Sequence, residues 1–513
     1  MEAASASPAA GASTPRPWWS LTGICVVTAL VWVTASDISI ALPTIGADFG
    51  GDNADKLQWA VNGYFLAGSL IIVTGRLGDV FGRRRMFAVG TLLIIAGSVV
   101  AGLAQGPELL IAGRIIEGVG AAAVLPNALA IVAVSFPGAN RDKAIGTWVA
   151  VCWGSQAVGP LVGGALIEAF SWQAIFWVNL PLALGALLLV WRTTAESVDQ
   201  ANGRSVDVPG AIAIFAGLAL LNYALVDSDT AAGGTLAVLF VAAFALLGLF
   251  VLIESRTKVP LVKLSIFRRG AFDGAVLANL LSNFVFGAVV FFMALYLQVV
   301  LQYSPLTAGA LLLPATVPIL LVTPIGAALG RRYGPWLPVS VSLVVIAASS
   351  AFFTTLGGGY GQLLVPFVLL GIGVGLQITM TARVSVDDAG DAGEGVASGV
   401  YKASSMIGGS LGVATLTAVF QHSSDSKVRE LVAGAGPRLL ADMKDVLTGA
   451  KSITELRLPG GIRAQETIDA VFDYALANAM WVAAAISLAG AVACFFLMRR
   501  YRLEATVIPD TQG

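Results

Sequence analysis

The stretch Leu57–Ala104, LQWAVNGYFLAGSLIIVTGRLGDVFGRRRMFAVGTLLIIAGSVVAGLA, sets two apolar runs on either side of the segment GRLGDVFGRRR. A helix rises ~1.5 Å per residue, so about 20 apolar residues cross a ~30 Å hydrocarbon core. Lipid offers no partner to a free backbone N–H or C=O, so runs of this kind must be helices. The arginines between them mark a short loop held on one side of a membrane. The fold class follows from how often this unit repeats.

It repeats along the whole chain. Apolar runs fall at 18–44, 57–78, 86–104, 108–132, 144–166, 173–192, 207–227, 233–254, 271–302, 305–329, 335–355, 360–382, 396–420 and 474–498, fourteen in all. Positive charge tests the count, because Lys and Arg collect in cytoplasmic loops. The loops after the second, fourth and later even-numbered helices up to the twelfth carry Arg76, Arg83, Arg84, Arg85, Arg141, Lys143, Arg192, Arg204, Arg256, Lys258, Lys263, Arg268, Arg269, Arg331, Arg332 and Arg383. The loops after the odd-numbered helices up to the eleventh carry only Lys56. Arg16, Arg499, Arg500 and Arg502 in the tails fall on the rich side, so both termini are expected in the cytoplasm and the protein in the plasma membrane. The loop 421–473 is then extracellular, and it adds seven Lys and Arg to the sparse side, but it is long, and long loops obey the rule less well. Its apolar residues Val428, Leu431, Val432, Leu439, Leu440, Met443, Val446 and Leu447 have helical spacing broken by Gly434, Gly436 and Pro437, which predicts two short amphipathic helices.

Composition agrees with an all-α, polytopic membrane protein. Of 513 residues, 57% are hydrophobic and 12% charged, and mean hydropathy is +0.83. Soluble domains carry about 25% charged residues. The net charge of −1 and the lack of a basic block exclude a nucleic-acid partner. Cys25, Cys152 and Cys494 lie far apart in apolar runs and form neither a metal motif nor a disulfide framework. His422, the single histidine, reads as a solvated loop residue. Residues 1–17 read as a disordered tail. The run from Trp18 is too long for a signal-peptide core of roughly 7–15 residues, which makes it a retained first helix.

Local patterns narrow the class. Gly75-Arg76-Leu77-Gly78-Asp79-Val80-Phe81-Gly82-Arg83-Arg84-Arg85 resembles the loop signature of the major facilitator superfamily, G-x-L-x-D-x-x-G-R-R-R. Glycines permit the turn, Asp79 can accept hydrogen bonds, and the arginines pair with acids or stay in water. The resemblance makes Gly75, Asp79, Gly82, Arg83 and Arg84 a gating motif. In the fourth helix, Gly113-Arg114-Ile115-Ile116-Glu117-Gly118 places an arginine inside a spanning run, at a cost of about 2.5–3.5 kcal/mol. Its position resembles the family's fourth-helix arginine, which is linked to proton coupling. Glu117, one turn on, is its candidate ion-pair partner. In the fifth helix, Gly159-Pro160-Leu161-Val162-Gly163-Gly164 resembles the antiporter motif G-P-x-x-G-G. Gly159 and Gly163 share a face and admit another backbone.

Further segments resemble the fourteen-helix drug:proton antiporters of the EmrB/QacA type. They are Ala41-Leu42-Pro43-Thr44-Ile45, Gln58-Trp59 with Tyr64, Trp172 through Pro181, Tyr296-Leu297-Gln298, and Tyr303-Ser304-Pro305. The resemblance implies a major-facilitator fold. An N-terminal six-helix bundle would occupy 18–192, an inserted pair of helices and linkers 193–269, and a C-terminal six-helix bundle 270–498, with tails at 1–17 and 499–513. Substrate would bind between bundles that rock to alternate access.

One residue departs from the pattern. These antiporters carry a first-helix aspartate nine residues before the proline of A-L-P, where this chain has Thr34. Asp37 follows one helical turn, ~4.5 Å, further along. An acid in a spanning segment can take up and release a proton, so Asp37 is the candidate carrier, with Arg114 and Glu117 as its coupling partners. Asp207, Glu254, Asp273, Asp227 and Asp229 lie at helix ends and read as solvated or capping.

The expected activity is secondary transport: protons exchanged for hydrophobic, often cationic, small molecules. The alternatives are export of one metabolite, lipid or self-made antibiotic on the same fold, and a non-transporting sensor. No nucleotide loop, metal cluster or nucleophile–base set points to an enzyme or a cofactor, so a proton gradient is the expected energy source. Each charge crossing yields about 2.3 kcal/mol per 100 mV. One chain holds both bundles, so a monomer is sufficient.

Overall fold

A computed structural model of the chain describes residues 16–50, 54–137, 139–198, 207–226, 233–257, 260–355, 359–388, 394–432, 436–448 and 463–501, with Lys451, Ile453, Leu456 and Leu458. Most of both expected tails, Arg204, Asp227, Asp229 and Lys258 lie outside the described residues. Every regular element among the described residues is helical.

Among the described residues, thirteen helices are long and apolar enough to cross a membrane, and one bent pair brings the number to fourteen. Spans 1 to 6 are Pro17–Asp48, the pair Lys56–Gly68 and Ile71–Phe81, Arg83–Gly102, Pro107–Ser135, Lys143–Ala169 and Ala174–Thr193. Spans 7 and 8 are Val208–Val226 and Gly234–Arg256. Spans 9 to 14 are Gly270–Val300, Pro305–Tyr333, Trp336–Thr355, Tyr360–Asp387, Val396–Leu431 and Ala464–Met498.

The second span was expected as one helix over 57–78, and it bends by 42°. The cause is local. The Ser69 N–H is shared between the carbonyls of Phe65 and Leu66, the Leu70 N–H turns to Ala67, and the Ser69 hydroxyl donates to Leu66 O at 2.6 Å. A hydroxyl drawing on the backbone ladder and a slip to tighter turns are known causes of a kink.

The stretch 421–473 also differs. Span 13 runs on to Leu431, span 14 starts at Ala464, and one further helix, Pro437–Leu447, stands between them. Hydropathy marks only the part of a helix that meets lipid, so the polar extensions of the two spans escaped it. Val428, Val432, Val446 and Leu447 are buried among these segments. His422 is exposed, on the helical extension rather than in a loop.

Spans 1 to 6 pack on one another: 1 on 5 and 6, 4 on 2 and 3, and 3 on 6. Spans 9 to 14 do the same: 12 on 10 and 11, 14 on 11 and 13, and 9 on 13. Spans 7 and 8 pair with each other, and only 6% of the best window of span 8 is buried, against 83% for span 9. Span 8 therefore lies at the rim, span 7 packs between it and span 13, where Ser410 Oγ donates to Asn222 Oδ1 at 2.7 Å, and span 9 lies at the centre. Asp207 caps span 7 by accepting from Gly210 N at 2.9 Å, and Glu254 accepts from Leu261 N and Val262 N. Asp207 is a buried cap, Glu254 a buried anchor for the connection after span 8, and Asp273 lies in the first turn of span 9.

Spans 3 and 4 meet at glycines. A Cβ on Gly90 would lie 2.7 Å from Gly120 O, one on Gly120 2.7 Å from Gly90 O, and one on Gly97 2.7 Å from Gly113 O. Lipid gives no hydrophobic drive between helices, so such close backbone approach carries the pairing. Gly120→Leu is expected to cost at least the ~1–3 kcal/mol of an overpacked core. The measurement is melting in detergent, and an unchanged transition would show that the two helices separate freely.

Candidate functional site

Span 4 is ringed by its neighbours, which explains how it holds two ionisable groups away from water. Arg114 and Glu117 are fully buried, one turn apart, with Nη1 and Oε2 at 2.7 Å. The guanidinium also donates from Nε to Ala60 O at 2.9 Å and stacks over the Tyr64 ring at 4.4 Å. Glu117 Oε1 accepts from Ser98 Oγ at 2.6 Å. Asn179 Nδ2 donates to Ser98 Oγ at 3.1 Å and to Thr34 Oγ1 at 3.2 Å, and Tyr64 OH donates to Val31 O at 2.6 Å. Spans 1, 2, 3, 4 and 6 are thus joined by one polar network inside the N-terminal bundle.

Asp37 is 2% exposed and lies within electrostatic reach of Arg114, Glu117 and Tyr64. It is therefore inside the bundle, not in an open funnel. Arg114 Nη2 and the side-chain amides of Gln58 and Asn62 are buried with no hydrogen-bond partner among the described residues. Gln58 and Asn62 are one turn apart on span 2. Gln58 also lines a cavity between the bundles with Leu42, Phe291, Phe292, Thr417 and Phe420. Polar groups without partners beside an aromatic wall are ready to meet a small molecule or water.

Breaking a buried ion pair leaves one charge without its partner and costs about 3–5 kcal/mol, whereas removing both charges is far milder. Arg114→Met and Glu117→Gln are each expected to lower the melting temperature sharply, and the double variant to recover much of the loss. Additive losses would show that the two residues act separately.

The loop signature closes one end of the N-terminal bundle. Asp79 binds Arg83 at 2.9 Å, Arg83 N donates to Ser197 O, and Glu196 accepts from Arg84 N at 3.0 Å. Arg84 also donates to Thr194 O and stacks on Trp191. Gly82 has φ +110°, which side-chain-bearing residues rarely adopt, and a Cβ there would lie 2.6 Å from the Glu196 carboxyl carbon. Gly75 packs on Pro126 of span 4.

The Gly159–Gly164 motif has two working faces. A Cβ on Gly159 would meet Ser36 Oγ at 2.0 Å, and one on Gly163 the Asp37 Cβ at 2.7 Å. Gly164 turns the other way: its Cβ would lie 2.3 Å from Pro305 O of span 10. Span 10 answers with Gly309, whose Cβ would lie 2.3 Å from Pro160 O. The same motif holds span 5 to the candidate proton site and to the opposite bundle. Nearby, Gln298 on a π-helical turn, Tyr296–Val300, donates to Ile40 O of span 1 at 3.1 Å.

The family model described as Major Facilitator Superfamily matches residues 24–413. The chain belongs to that superfamily. A tetracenomycin C resistance and export protein of Streptomyces glaucescens is 31% identical over 94% of this chain and 91% of its own length. The multidrug efflux pump LfrA of Mycolicibacterium smegmatis is 30% identical over 94% of this chain and 97% of its own. The fold matches the crystal structure of a bacterial homologue of the human lysosomal transporter Spinster, with TM-score 0.68 and 16% identity over 95% of this chain and 98% of the other. Like these relatives, this member of the superfamily is a multi-pass membrane protein that spans nearly their whole length.

Three members of the site carried little sequence signal. Glu196, the acid that anchors the arginine loop, lies in a connection with no pattern of its own. Ser98 and Asn179 are single polar residues in apolar runs. Apart from the Trp172–Pro181 segment that contains Asn179, their type is the only hint, since polar side chains within spans tend to bond across helices.

Proposed function

We propose that this chain is a proton-coupled antiporter that exports hydrophobic small molecules across the plasma membrane by alternating access. The observation that carries the reading is the set of three buried ionisable groups, Asp37, Arg114 and Glu117, in one bundle, with Asp37 packed on the glycine motif that also touches the other bundle. Protonation of Asp37 changes the charge at the contact between spans 1 and 5. The same span 5 meets span 10, so a change there bears on how the halves sit together. The kinds of cargo named for the relatives, an antibiotic for one and many drugs for the other, support the export reading.

In this reading the arginine-rich ends and both termini face the cytoplasm, and the two six-helix bundles, 18–192 and 270–498, rock about the site while 193–269 stays at the rim. The chain needs no cofactor and catalyses no reaction. A single copy suffices, and the proton gradient drives the cycle.

Inside-out vesicles with an acid interior test the proposal. Adding a panel of lipophilic compounds is expected to discharge the pH gradient only where the chain is present. If a single compound class does so, export of one specific molecule becomes the better account. If none does, and no compound accumulates, the antiport reading fails.

A further inference from the structure

Span 13 carries a second charge inside the membrane. Lys402 Nζ lies 5.9 Å from the Trp32 ring of span 1 and 5.7 Å from the Trp148 ring of span 5. The cation therefore reaches out of the C-terminal half and stands between two indoles of the N-terminal half. It makes no hydrogen bond or ion pair among the described residues. Glu117 is engaged by Arg114 and Ser98, and the charges that bear on Asp37 are those of Arg114 and Glu117. The titratable neighbour of Lys402 is the Cys152 thiol on span 5. Lys402 is half-buried, and both indoles beside it are buried.

A lysine in a spanning segment is costly and commonly marks a substrate path. Two indole faces offset part of that cost, yet both rings sit near the ~6 Å outer limit for a cation–π contact. The arrangement is an ammonium with unused donors, walled by flat aromatic surface. Trp148 is fixed in orientation by its Nε1–H bond to Thr28 Oγ1 at 3.0 Å. Such a site complements an aromatic body bearing a carboxylate or phenolate, since charge-assisted hydrogen bonds are the strong ones. It repels the cationic cargo that the family resemblance implies. Trp32 precedes Asp37 by five residues, about 7.5 Å along the helix. Cargo coming from the arginine-rich end thus meets Lys402 before the proton site.

We propose that Lys402, Trp32 and Trp148 form a subsite that selects aromatic substrates carrying an anionic group. The use of this subsite in export rests on the antiport reading, but the binding does not. Exporting an anion while importing a proton moves two positive-charge equivalents inward, so membrane potential drives it more strongly than export of a neutral compound.

The test uses purified full-length protein in detergent and three probes of one shape: pyrene-1-butyrate, pyrene-1-butanol and a pyrenyl trimethylammonium salt. Wild type is expected to bind the butyrate about tenfold tighter than the alcohol and the cation least. Lys402→Met and Lys402→Gln should lose that preference while keeping the alcohol affinity, and Lys402→Arg should retain it. Equal binding of all three by wild type overturns the proposal without any variant. An unchanged preference in Lys402→Met or Lys402→Gln also overturns it and leaves Lys402 as a contact between the halves. Proton-gradient discharge is then read in vesicles. Anion preference without discharge keeps the subsite and removes the antiport reading, and discharge without anion preference does the reverse.

Discussion

Asp37→Asn is expected to reduce drug-driven discharge of a proton gradient to the level of protein-free vesicles while leaving the chain folded. Asn has the shape of Asp but cannot carry a proton. Asp37 is buried, its Cβ packs where Gly163 has none, and its charge is felt by Arg114 and Glu117. A near-isosteric change keeps that packing, so melting in detergent should move by less than about 1.5 kcal/mol. Loss of discharge is then a loss of coupling rather than of structure. A second variant sharpens the point. Thr34 already accepts a hydrogen bond from Asn179, which reaches Glu117 through Ser98. The swap Thr34→Asp with Asp37→Thr keeps a carboxyl in the same network, one turn away, and should restore coupling. Discharge that persists in Asp37→Asn would move the carrier elsewhere, to Glu117 first.

The second large effect concerns the seam. Gly164→Leu puts a side chain where a Cβ alone would lie 2.3 Å from the Pro305 carbonyl. Backbone cannot yield as a flexible side chain does, so the two halves cannot meet there as described. An overpacking cost of ~1–3 kcal/mol shifts the balance between conformations about 5- to 150-fold. Transport is expected to collapse, and spin labels at Ala169 and Tyr303 should report a wider mean distance. Gly309→Leu should act alike, because Gly309 meets Pro160 O in the same manner. Gly185→Leu is the control, since nothing lies within 4 Å of its Cβ position. Unchanged label distances with normal transport would sink the idea that this seam must close and open.

Much of this was readable from residue order. Fourteen runs and their alternating arginines correspond to fourteen crossings because lipid imposes one length and one secondary structure on each. The Arg114–Glu117 pair was legible because two ionisable residues one helical turn apart share a face. The close approach at Gly159 and Gly163 followed from small residues four apart. Other features depend on which helices become neighbours. Ser69 bends span 2 only through its bond to Leu66, and nothing in the apolar run announces it. Gly164 looks like its neighbour Gly163, yet the two face different halves. Glu196 acquires its role from the arginine loop folded onto it, and Lys402 from two tryptophans more than 250 residues earlier in the chain. Tyr64 and Asn179 sat inside motifs shared with the antiporters, but their contacts with Arg114 and Ser98 needed the fold.

The long thirteenth and fourteenth spans have a practical consequence. A helix of 38 residues, Glu394–Leu431, is about 57 Å long, nearly twice the ~30 Å of hydrocarbon it must cross. Together with the start of span 14 and helix Pro437–Leu447, its far end forms a packed knob beyond the length that the hydrocarbon requires. A transporter that is otherwise almost all bilayer-embedded thereby offers antibody fragments a rigid grip. It also gives electron microscopy an asymmetric landmark for aligning a particle of only 52.7 kDa.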